Sequence, residues 1–344
     1  MRTRHGALMA TRPTAAIVGI GGLTLSTDEA AFFQAADPWG FILFARNVET
    51  PEQLRGLTSA LRDAVGRDAP VLVDQEGGRV QRLRAPHWRE WLPPLDQVTR
   101  AGVGAERSLW LRHRLIAEEL RAVGIDTNCV PTADIACAET HHFLRNRCLG
   151  EDAATVARNA RAVAEGTLAG GVLPVMKHMP GHGRAVADSH HDLPEIAAGR
   201  SELAASDFAP FRALADLPLG MTAHIRAPTY GDEPATLNPA IIGAIRTEIG
   251  FRGLLMTDDI SMEALSGGPG ERAVRAIAAG CDIVLHCNGE MAEMEQVAAA
   301  AGPLSDAAHG RAEAALACRR DPDPVDTALL EAELEALLKG QVHV

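Results

Sequence analysis

The feature that most constrains the fold is a series of short, continuous apolar runs with helical segments between them. Eight runs rich in Val, Ile, Leu and Met occupy residues 15–20, 40–45, 70–73, 126–131, 173–177, 219–225, 253–257 and 282–286. Continuous runs are typical of parallel strands covered on both faces, whereas strands with one wet face alternate. Eight such strands joined by helices predict an α/β protein, a single TIM-like (β/α)8 barrel.

The segments between and after the runs carry the signals of helices. Thr50 precedes a proline, as does Asn238, and each pair suits an N-cap followed by the first helical position. Amphipathic stretches predict further helices over residues 106–123, 152–169, 202–215 and 271–279. We expect one catalytic domain over residues 1–344, with the barrel at about 15–290 and extra C-terminal helices at about 291–340.

Composition narrows the range of partners. The chain has 33 Lys and Arg against 45 Asp and Glu, a net charge of -12, and no basic block, which disfavours binding to nucleic acid. No stretch approaches the roughly 18 consecutive apolar residues of a membrane span. The six cysteines lack the paired spacing of a metal site and suit a reducing compartment. We expect a cytoplasmic monomer that acts on a small molecule, with neither nucleic acid nor membrane as a partner.

Ionisable residues cluster where the predicted strands end. In a parallel barrel, chemistry collects at the C-terminal strand ends because the βα loops converge over the barrel mouth. Five of the eight runs end in such residues: DQEGGR (74–79), PTAD (131–134), KH (177–178), His224 and DD (258–259). A rim of salt bridges would explain any one of them, but burying them together is costly unless they pair or bind a ligand.

A metal hydrolase and a phosphate-binding barrel both fit these strand ends poorly. His141-His142 and His190-His191 are adjacent pairs whose side chains diverge, and no run end has a His-x-His pattern. The glycine-rich segments at residues 19–22 and 267–270 lack the full fingerprint of a nucleotide site. We therefore expect neither a metal nor a cofactor.

Glycoside hydrolysis fits the same residues better. It needs a carboxylate at the anomeric carbon, a proton donor on the leaving-group side and polar groups around the sugar hydroxyls. Asp258 ends a buried strand, where a rigid nucleophile belongs. The segment 179–200 is too long and too rich in Gly, His and Asp for a plain connector, and it brings Asp188 and His190.

Five strings in order along the chain resemble glycoside hydrolase family 3, and most of all its bacterial β-N-acetylhexosaminidases of peptidoglycan recycling. They are VDQEGGRVQR (73–82), KHMPGHG (177–183), ADSHHDLP (187–194), MTAHI (221–225) and LLMTDDISM (254–262). The resemblance implies a retaining exo-β-N-acetylglucosaminidase in a lone barrel. Its substrate would be a muropeptide-derived disaccharide, N-acetylglucosamine linked to 1,6-anhydro-N-acetylmuramic acid, with or without stem peptide.

The resemblance also implies catalytic roles. Asp258 matches the family nucleophile, which attacks C1 and forms a covalent glycosyl-enzyme. His190 matches the general acid/base, and Asp188, two residues before it, orients and tunes the ring. An unperturbed imidazole titrates near pH ~6.5. A neighbouring carboxylate favours the protonated ring, which leaves a usable acid near neutrality. The simplest alternative is a turn in which Asp188 caps backbone N–H groups and His190 is a solvated surface residue.

For the sugar itself, the family pattern implies charged and imidazole side chains that suit hydroxyls. These substrate-binding residues are Asp74, Arg82, Arg147, Lys177 and His178. His224 is expected to support the site from behind, or to be a core imidazole with a backbone partner. The chain departs from the family at Met179, where an aromatic is usual, and at Cys148-Leu149, where Ser-Phe is usual, and both changes are expected to alter packing around the sugar.

Two other functions stay open at this point. The adjacent Asp258 and Asp259 superficially fit substrate-assisted hexosaminidase chemistry, in which the 2-acetamido oxygen of the sugar is the nucleophile. A non-catalytic amino-sugar-binding barrel would keep the subsite and lack turnover. A covalent adduct separates the first alternative from the family mechanism, and a hydrolysis assay separates the second.

Overall fold

A computed structural model describes residues 12–186 and 193–339 of the chain. Its strands are Thr14–Gly19 (β1), Pro38–Leu43 (β2), Val71–Val73 (β3), Gln75–Gly77 (β4), Val80–Gln81 (β5), Thr127–Asn128 (β6), Leu173–Met179 (β7), Leu219–Thr222 (β8), Leu254–Asp259 (β9) and Ile283–His286 (β10). Its α-helices are Thr27–Ala36 (α1), Pro51–Val65 (α2), Pro94–Ala101 (α3), Ala105–Arg121 (α4), His142–Arg145 (α5), Ala153–Ala169 (α6), Arg200–Ala205 (α7), Phe208–Ala213 (α8), Pro239–Ala244 (α9), Pro269–Ala279 (α10), Met291–Ala301 (α11), Asp306–Leu316 (α12) and Thr327–Leu338 (α13). A π-helical turn, Ile245–Ile249, continues α9.

Eight of the strands close into a parallel barrel. Their order around the barrel is β1, β2, β3, β6, β7, β8, β9 and β10, and β10 pairs again with β1. Val18 on β1, for example, lies opposite Phe41 on one side and His286 on the other. Every residue of β2 and of β7 is buried, as expected when both faces of a parallel sheet are covered. The (β/α)8 barrel predicted from the apolar runs is confirmed.

Two strands depart from the apolar runs near the barrel mouth. The run at 126–131 forms a regular strand only over Thr127–Asn128, and Pro131 at its end has no N–H to donate to a neighbouring strand, although its carbonyl accepts the Lys177 N–H at 3.0 Å. Strand β9 continues to Asp259, beyond the predicted run, so that Asp258 lies inside a strand. The sequence does not predict the hairpin of β4 and β5, because two or three residues are too few to show a period.

The predicted helix starts are confirmed, but one predicted helix is wrong as a single element. Thr50 Oγ1 accepts the Gln53 N–H at the start of α2, and Asn238 Oδ1 accepts the Ala240 N–H at the start of α9. The stretch 202–215 forms two helices, α7 and α8, and the break between them lies at residues 206–207.

A side-chain hydrogen bond and an ion pair account for that break. Ser206 Oγ donates to the Glu202 carbonyl at 2.9 Å, which satisfies a backbone acceptor in the last turn of α7. Asp207 is buried and accepts from Arg184 Nε at 2.9 Å. The polar residues that interrupt the helix therefore fix the chain that follows β7.

The last helices cover the outside of the barrel. Helix α11 follows the eighth barrel strand and packs on β1 and β10, α12 contacts β9, and α13 lies on α3 and α4. Leu334 is the buried anchor of α13, and an ion pair of 2.7 Å joins Arg107 to Glu333. In the described part of the chain, no helix combines the length and the apolar character needed to cross a bilayer.

One buried carboxylate joins several elements at the N-terminal end of the barrel. Asp282, directly before β10, accepts from the Leu255 N–H at 2.9 Å, from Arg246 Nη2 at 2.7 Å and from Arg311 Nε at 2.9 Å. Its side chain is 3% exposed. Removal of one partner from such a group leaves uncompensated charge in the core, which destabilises a protein strongly.

We therefore expect Asp282→Ala to lower the free energy of unfolding by about 3 kcal/mol or more. The measurement is urea unfolding followed by circular dichroism. The matched control is Asp232→Ala, whose carboxylate is 92% exposed beside Arg226, and this change should have an effect near zero because exposed ion pairs contribute little. Equal unfolding midpoints for the two variants would contradict the conclusion that the buried Asp282 carboxylate stabilises the barrel.

Candidate active site

The C-terminal ends of the barrel strands surround a cavity of about 280 Å³. This volume is near the lower limit of about 300 Å³ for small-molecule sites and suits one sugar unit better than a polymer. Six of the predicted site residues line the cavity: Asp74, Arg82, Arg147, Lys177, His178 and Asp258. The structure thus brings together side chains that lie up to 184 positions apart in the chain, from 74 to 258.

Asp258 projects into the cavity from the end of β9. The Asp259 N–H donates to its Oδ1 at 2.8 Å. Burial raises the pKa of the Asp258 carboxyl. The nearby imidazoles of His224 and His178 and this backbone hydrogen bond lower it by more than burial raises it, so that the pKa lies below its ordinary value. The carboxylate is ionised at neutral pH and is held on a strand, which are the properties required of a nucleophile.

Asp74 connects two cations at the edge of the cavity. Its Oδ1 lies 2.7 Å from Lys177 Nζ, and its Oδ2 accepts from Arg82 Nη2 at 3.0 Å. Burial raises the pKa of Asp74, but the charges of Lys177 and Arg82 outweigh it and hold the pKa well below its usual range. For the Lys177 ammonium the directions are reversed. Burial lowers its pKa, but the charges of Asp74 and Glu76 outweigh burial and hold the pKa above its ordinary value. All of these groups therefore carry full charge around neutrality.

Glu76 lies beneath this layer as a second buried carboxylate. Its Oε1 lies 2.6 Å from Lys177 Nζ, and Arg147 donates to it twice, from Nε at 2.9 Å and from Nη2 at 2.8 Å. Burial raises the pKa of Glu76, but the charges of Arg147 and Lys177 lower it to about 2. A bidentate pair of this kind fixes the plane of the guanidinium, so that Glu76 orients Arg147 at the cavity wall.

The hairpin that carries Glu76 is held from outside the barrel. Arg112 of α4 is fully buried and donates to the Glu76 carbonyl and, at 2.9 Å, to Gln97 Oε1. Gly77 has a φ of 109°, and a Cβ there would overlap the Arg112 guanidinium. Only glycine combines this backbone conformation with so close an approach, which explains the first glycine of the DQEGGR string.

His178 and Arg147 are neighbours in the cavity wall. The His178 Nδ1–H donates to Asp134 Oδ2 at 2.7 Å, and Arg147 Nη2 lies 3.3 Å from His178 Nε2. Asp134 is completely buried, and its other oxygen accepts the His182 N–H at 2.7 Å. Burial raises the pKa of Asp134, but the adjacent imidazoles and these hydrogen bonds lower it below its ordinary value. This carboxylate therefore fixes the orientation of the His178 ring.

His224 and Asp259 lie behind Asp258 and hold the end of β9. The His224 Nε2–H donates to the Asp259 carbonyl at 2.8 Å, and its Nδ1 lies 2.8 Å from Thr236 Oγ1. Asp259 accepts from the Ser261 N–H and hydroxyl and from the Cys287 N–H, at distances of 2.7–3.1 Å. Both aspartates border the cavity, but the carboxylate of Asp259 is occupied by structural contacts.

The departures from the family strings lie in the packing behind the cavity. Met179 is fully buried, and a Cβ on Gly220 would overlap its terminal methyl group. Cys148 and Leu149 are also buried in the core. None of the three lines the cavity, so that these substitutions change the support of the site and leave its polar groups in place.

Asp188 and His190, the predicted acid/base pair, lie outside the described residues. The chain on both sides of them is anchored to the barrel. Arg184 binds Asp207, and the Ile196 N–H donates to the Arg226 carbonyl at 2.8 Å. The loop therefore begins and ends at fixed points above the ends of β7 and β8.

Comparison with known proteins identifies the family. The glycosyl hydrolase family 3 N-terminal domain matches residues 23–314. A beta-hexosaminidase of Vibrio cholerae is 38% identical over 285 residues, which is 80% of this chain and 83% of the relative. The chain belongs to glycoside hydrolase family 3. It is therefore a glycoside hydrolase, as the resemblance implies.

Solved structures of family 3 enzymes have the same fold. NagZ from Neisseria gonorrhoeae, in complex with N-trifluoroacetyl-D-glucosamine, superposes with a TM-score of 0.82 at 29% identity, over 96% of this chain and 98% of that one. A family 3 beta-N-acetylglucosaminidase from Paenibacillus sp. superposes with a TM-score of 0.82 at 30% identity, over 94% of this chain and 67% of that one. The barrel of this hydrolase thus resembles NagZ along nearly its whole length.

Sequence reasoning missed the roles of Glu76, Asp134 and His182. All three stand inside strings that mark strand ends or family motifs, and this was the available signal. Their functions depend on contacts with residues 71, 44 and 48 positions away, which no local pattern shows. Glu76 and Asp134 support the predicted sugar-binding residues Arg147 and His178, and the His182 backbone is in turn bound to Asp134.

The charge on Glu76 leads to a pH-dependent stability. A carboxyl whose pKa is about 2 in the folded protein and near ~4.3 when unfolded adds roughly 3 kcal/mol to the free energy of unfolding at neutral pH. This contribution is complete above the unfolded pKa and is lost as the pH falls toward the folded pKa. We expect Glu76→Gln to be less stable than wild type at pH 7, with a smaller difference at pH 3.

Urea midpoints at the two pH values measure this effect. The matched control is Glu49→Gln at an exposed position, which should follow the wild-type curve at both pH values. A Glu76→Gln deficit that is the same at pH 3 and pH 7 would show that the charge of Glu76 does not stabilise the fold.

Proposed function

We propose that this family 3 hydrolase is a retaining exo-β-N-acetylglucosaminidase that works through a covalent glycosyl-enzyme on Asp258. The observation that carries the proposal is the position of Asp258, an ionised carboxylate on a rigid strand at the end of a one-sugar cavity. Around it stand Asp74, Arg82, Arg147, Lys177 and His178, whose charges and imidazole suit sugar hydroxyls. A carboxylate nucleophile and a ring of hydroxyl-binding groups are the parts that this chemistry needs.

The reaction has two steps. Asp258 attacks C1 as the glycosidic bond breaks, and His190 gives its proton to the departing oxygen, so that a glycosyl ester forms on Asp258. A water molecule then attacks C1, His190 takes its proton, and the Asp258 carboxylate leaves. Asp188 orients His190 and stabilises its cation, as the third group of a triad does. Asp259 and His224 act only by holding β9.

An amino sugar is the substrate that the family relatives favour. NagZ of N. gonorrhoeae binds N-trifluoroacetyl-D-glucosamine, and the V. cholerae relative is named a beta-hexosaminidase. Within that class we propose N-acetylglucosamine linked to 1,6-anhydro-N-acetylmuramic acid, with or without stem peptide, and a role in cell-wall recycling in the cytoplasm. We propose that the enzyme acts as a monomer on this small-molecule substrate.

The covalent step is tested with a fluorinated N-acetylglucosamine donor whose second step is slow. We expect mass spectrometry to find one sugar attached to Asp258. Asp258→Asn should abolish hydrolysis of p-nitrophenyl N-acetyl-β-glucosaminide, because an amide cannot serve as the nucleophile. The matched control is Asp259→Asn, which keeps a side-chain oxygen for the Ser261 and Cys287 contacts and should be much milder.

Two results would overturn this mechanism. An oxazoline product from an unlabelled enzyme would favour substrate-assisted chemistry with the 2-acetamido oxygen. Equally slow release of nitrophenol by wild type and Asp258→Asn would leave a sugar-binding barrel without turnover.

The acid/base pair is tested by Asp188→Ala and His190→Ala. Each substitution should lower kcat by roughly 100-fold or more, which is a usual contribution of general acid–base catalysis. Circular dichroism and the melting temperature should match wild type. A sharper check uses a dinitrophenyl leaving group, which needs little protonation, so that its release should be less sensitive to His190→Ala than that of an alkyl leaving group. Folded variants with wild-type rates would contradict the pair.

A further inference from the structure

His182 borders the sugar cavity with its hydrogen-bonding capacity unused. The residue is 5% exposed, and neither Nδ1 nor Nε2 has a partner within the described residues. Its ring packs edge to face on His178, with the ring centroids 5.5 Å apart. A buried polar group without a partner is unfavourable by about 1–3 kcal/mol. Such groups are rare in native proteins, and those that persist need a reason.

The backbone around His182 is built to hold the ring at this place. Gly181 has a φ of 134°, and a Cβ on Gly183 would overlap the Ile135 carbonyl. Gly183 lets the chain pass close to the segment after β6, where Asp134 accepts the His182 N–H at 2.7 Å. Asp134 thus divides its two oxygens between the His178 ring and the His182 backbone, and the His182 ring borders the cavity with both of its nitrogens buried.

The ring of His182 is uncharged at neutral pH. Burial and the adjacent His178 lower its pKa to about 4, although Asp134 and Asp258 act in the opposite direction. Whereas the carboxylates of Asp74 and Asp258 only accept and the Lys177 ammonium only donates, a neutral imidazole has one N–H donor and one acceptor nitrogen. It can therefore donate to a sugar oxygen or accept from a hydroxyl or amide N–H without bringing a further charge to Asp258.

We propose that His182 is a further sugar-binding residue, whose neutral ring exchanges a hydrogen bond with a hydroxyl or the acetamido group of the substrate. The proposal rests on the function proposed above, because it takes the ligand of the cavity to be a sugar. Binding of that sugar supplies the partner that the described residues do not. His182 thus adds to the charged groups a contact that is independent of the ion pairs around Asp74 and Glu76.

The test compares three variants on p-nitrophenyl N-acetyl-β-glucosaminide. His182→Leu removes both nitrogens and should lower kcat/KM roughly 10-fold, which corresponds to the loss of one hydrogen bond. His182→Asn places an amide near Nδ1, and His182→Gln places one near Nε2, so that one of the two should recover most of the activity and identify the nitrogen. The melting temperature of His182→Leu should not fall, because no bond within the protein is lost. The control is His87→Leu at an exposed position, with wild-type kinetics.

Substrate analogues that lack single groups identify the partner on the sugar. The 3-deoxy, 4-deoxy and 6-deoxy glycosides and the 2-hydroxy analogue are compared in wild type and His182→Leu. Removing the sugar group that His182 binds should lower kcat/KM of the wild type but not of His182→Leu. Removing any other group should lower kcat/KM of both enzymes by the same factor.

The outcomes separate this inference from the function on which it rests. Unchanged kinetics of His182→Leu in an active enzyme would overturn the role of His182 alone. The role of His182 would also be overturned if the Leu, Asn and Gln variants all lost kcat/KM equally, or if every analogue lost the same factor in wild type and in His182→Leu. Either result would indicate an effect of packing rather than a hydrogen bond. A wild-type enzyme without activity on any of the glycosides would overturn the proposed function, and this inference with it.

Discussion

The site depends on a set of buried charges that neutralise one another at the barrel mouth. Asp74 and Glu76 share Lys177, and each has its own arginine, Arg82 and Arg147. Burying any one of these side chains alone would be strongly unfavourable, because the free energy of desolvating an ion exceeds its attraction to a single partner. Together they tie β3, the hairpin and β7 into one layer. The layer fixes polar atoms at the cavity surface before any sugar arrives, which limits the entropy lost on binding.

Residues of one type serve different purposes here because of their surroundings. Asp258 and Asp259 are adjacent on β9, yet one faces the cavity with a single backbone donor and the other is held by three donors. His178 and His182 are also neighbours. The His178 ring donates through Nδ1 to Asp134, whereas the His182 ring has no hydrogen-bond partner among the described residues. The partner that each group already has, rather than its chemical type, decides what it can offer to a ligand.

Much of the fold could be predicted from the sequence, because a parallel strand buried on both faces leaves a continuous apolar run. The strand-end residues could also be predicted, since the barrel topology fixes which ends meet. The hairpin that carries Glu76 could not, because it is too short for any periodicity and is held by Arg112 from a distant helix. The break between α7 and α8 has a similar cause: Asp207 interrupts a helical pattern to bind Arg184, a contact that no local window contains.

The anchors of the loop after β7 have a consequence for how such an enzyme varies. Arg184 and Ile196 are fastened to α8 and to the chain beyond β8, whereas Asp258 is fixed by β9 and by His224. The segment proposed to supply the proton and the strand that carries the proposed nucleophile thus have different anchors, which come together only in the chain after β8, where Arg226 follows His224 by two residues. A change of length between Arg184 and Ile196 alters none of the hydrogen bonds that hold Asp258, so that we expect variation there to affect the leaving-group side of the site before the sugar side.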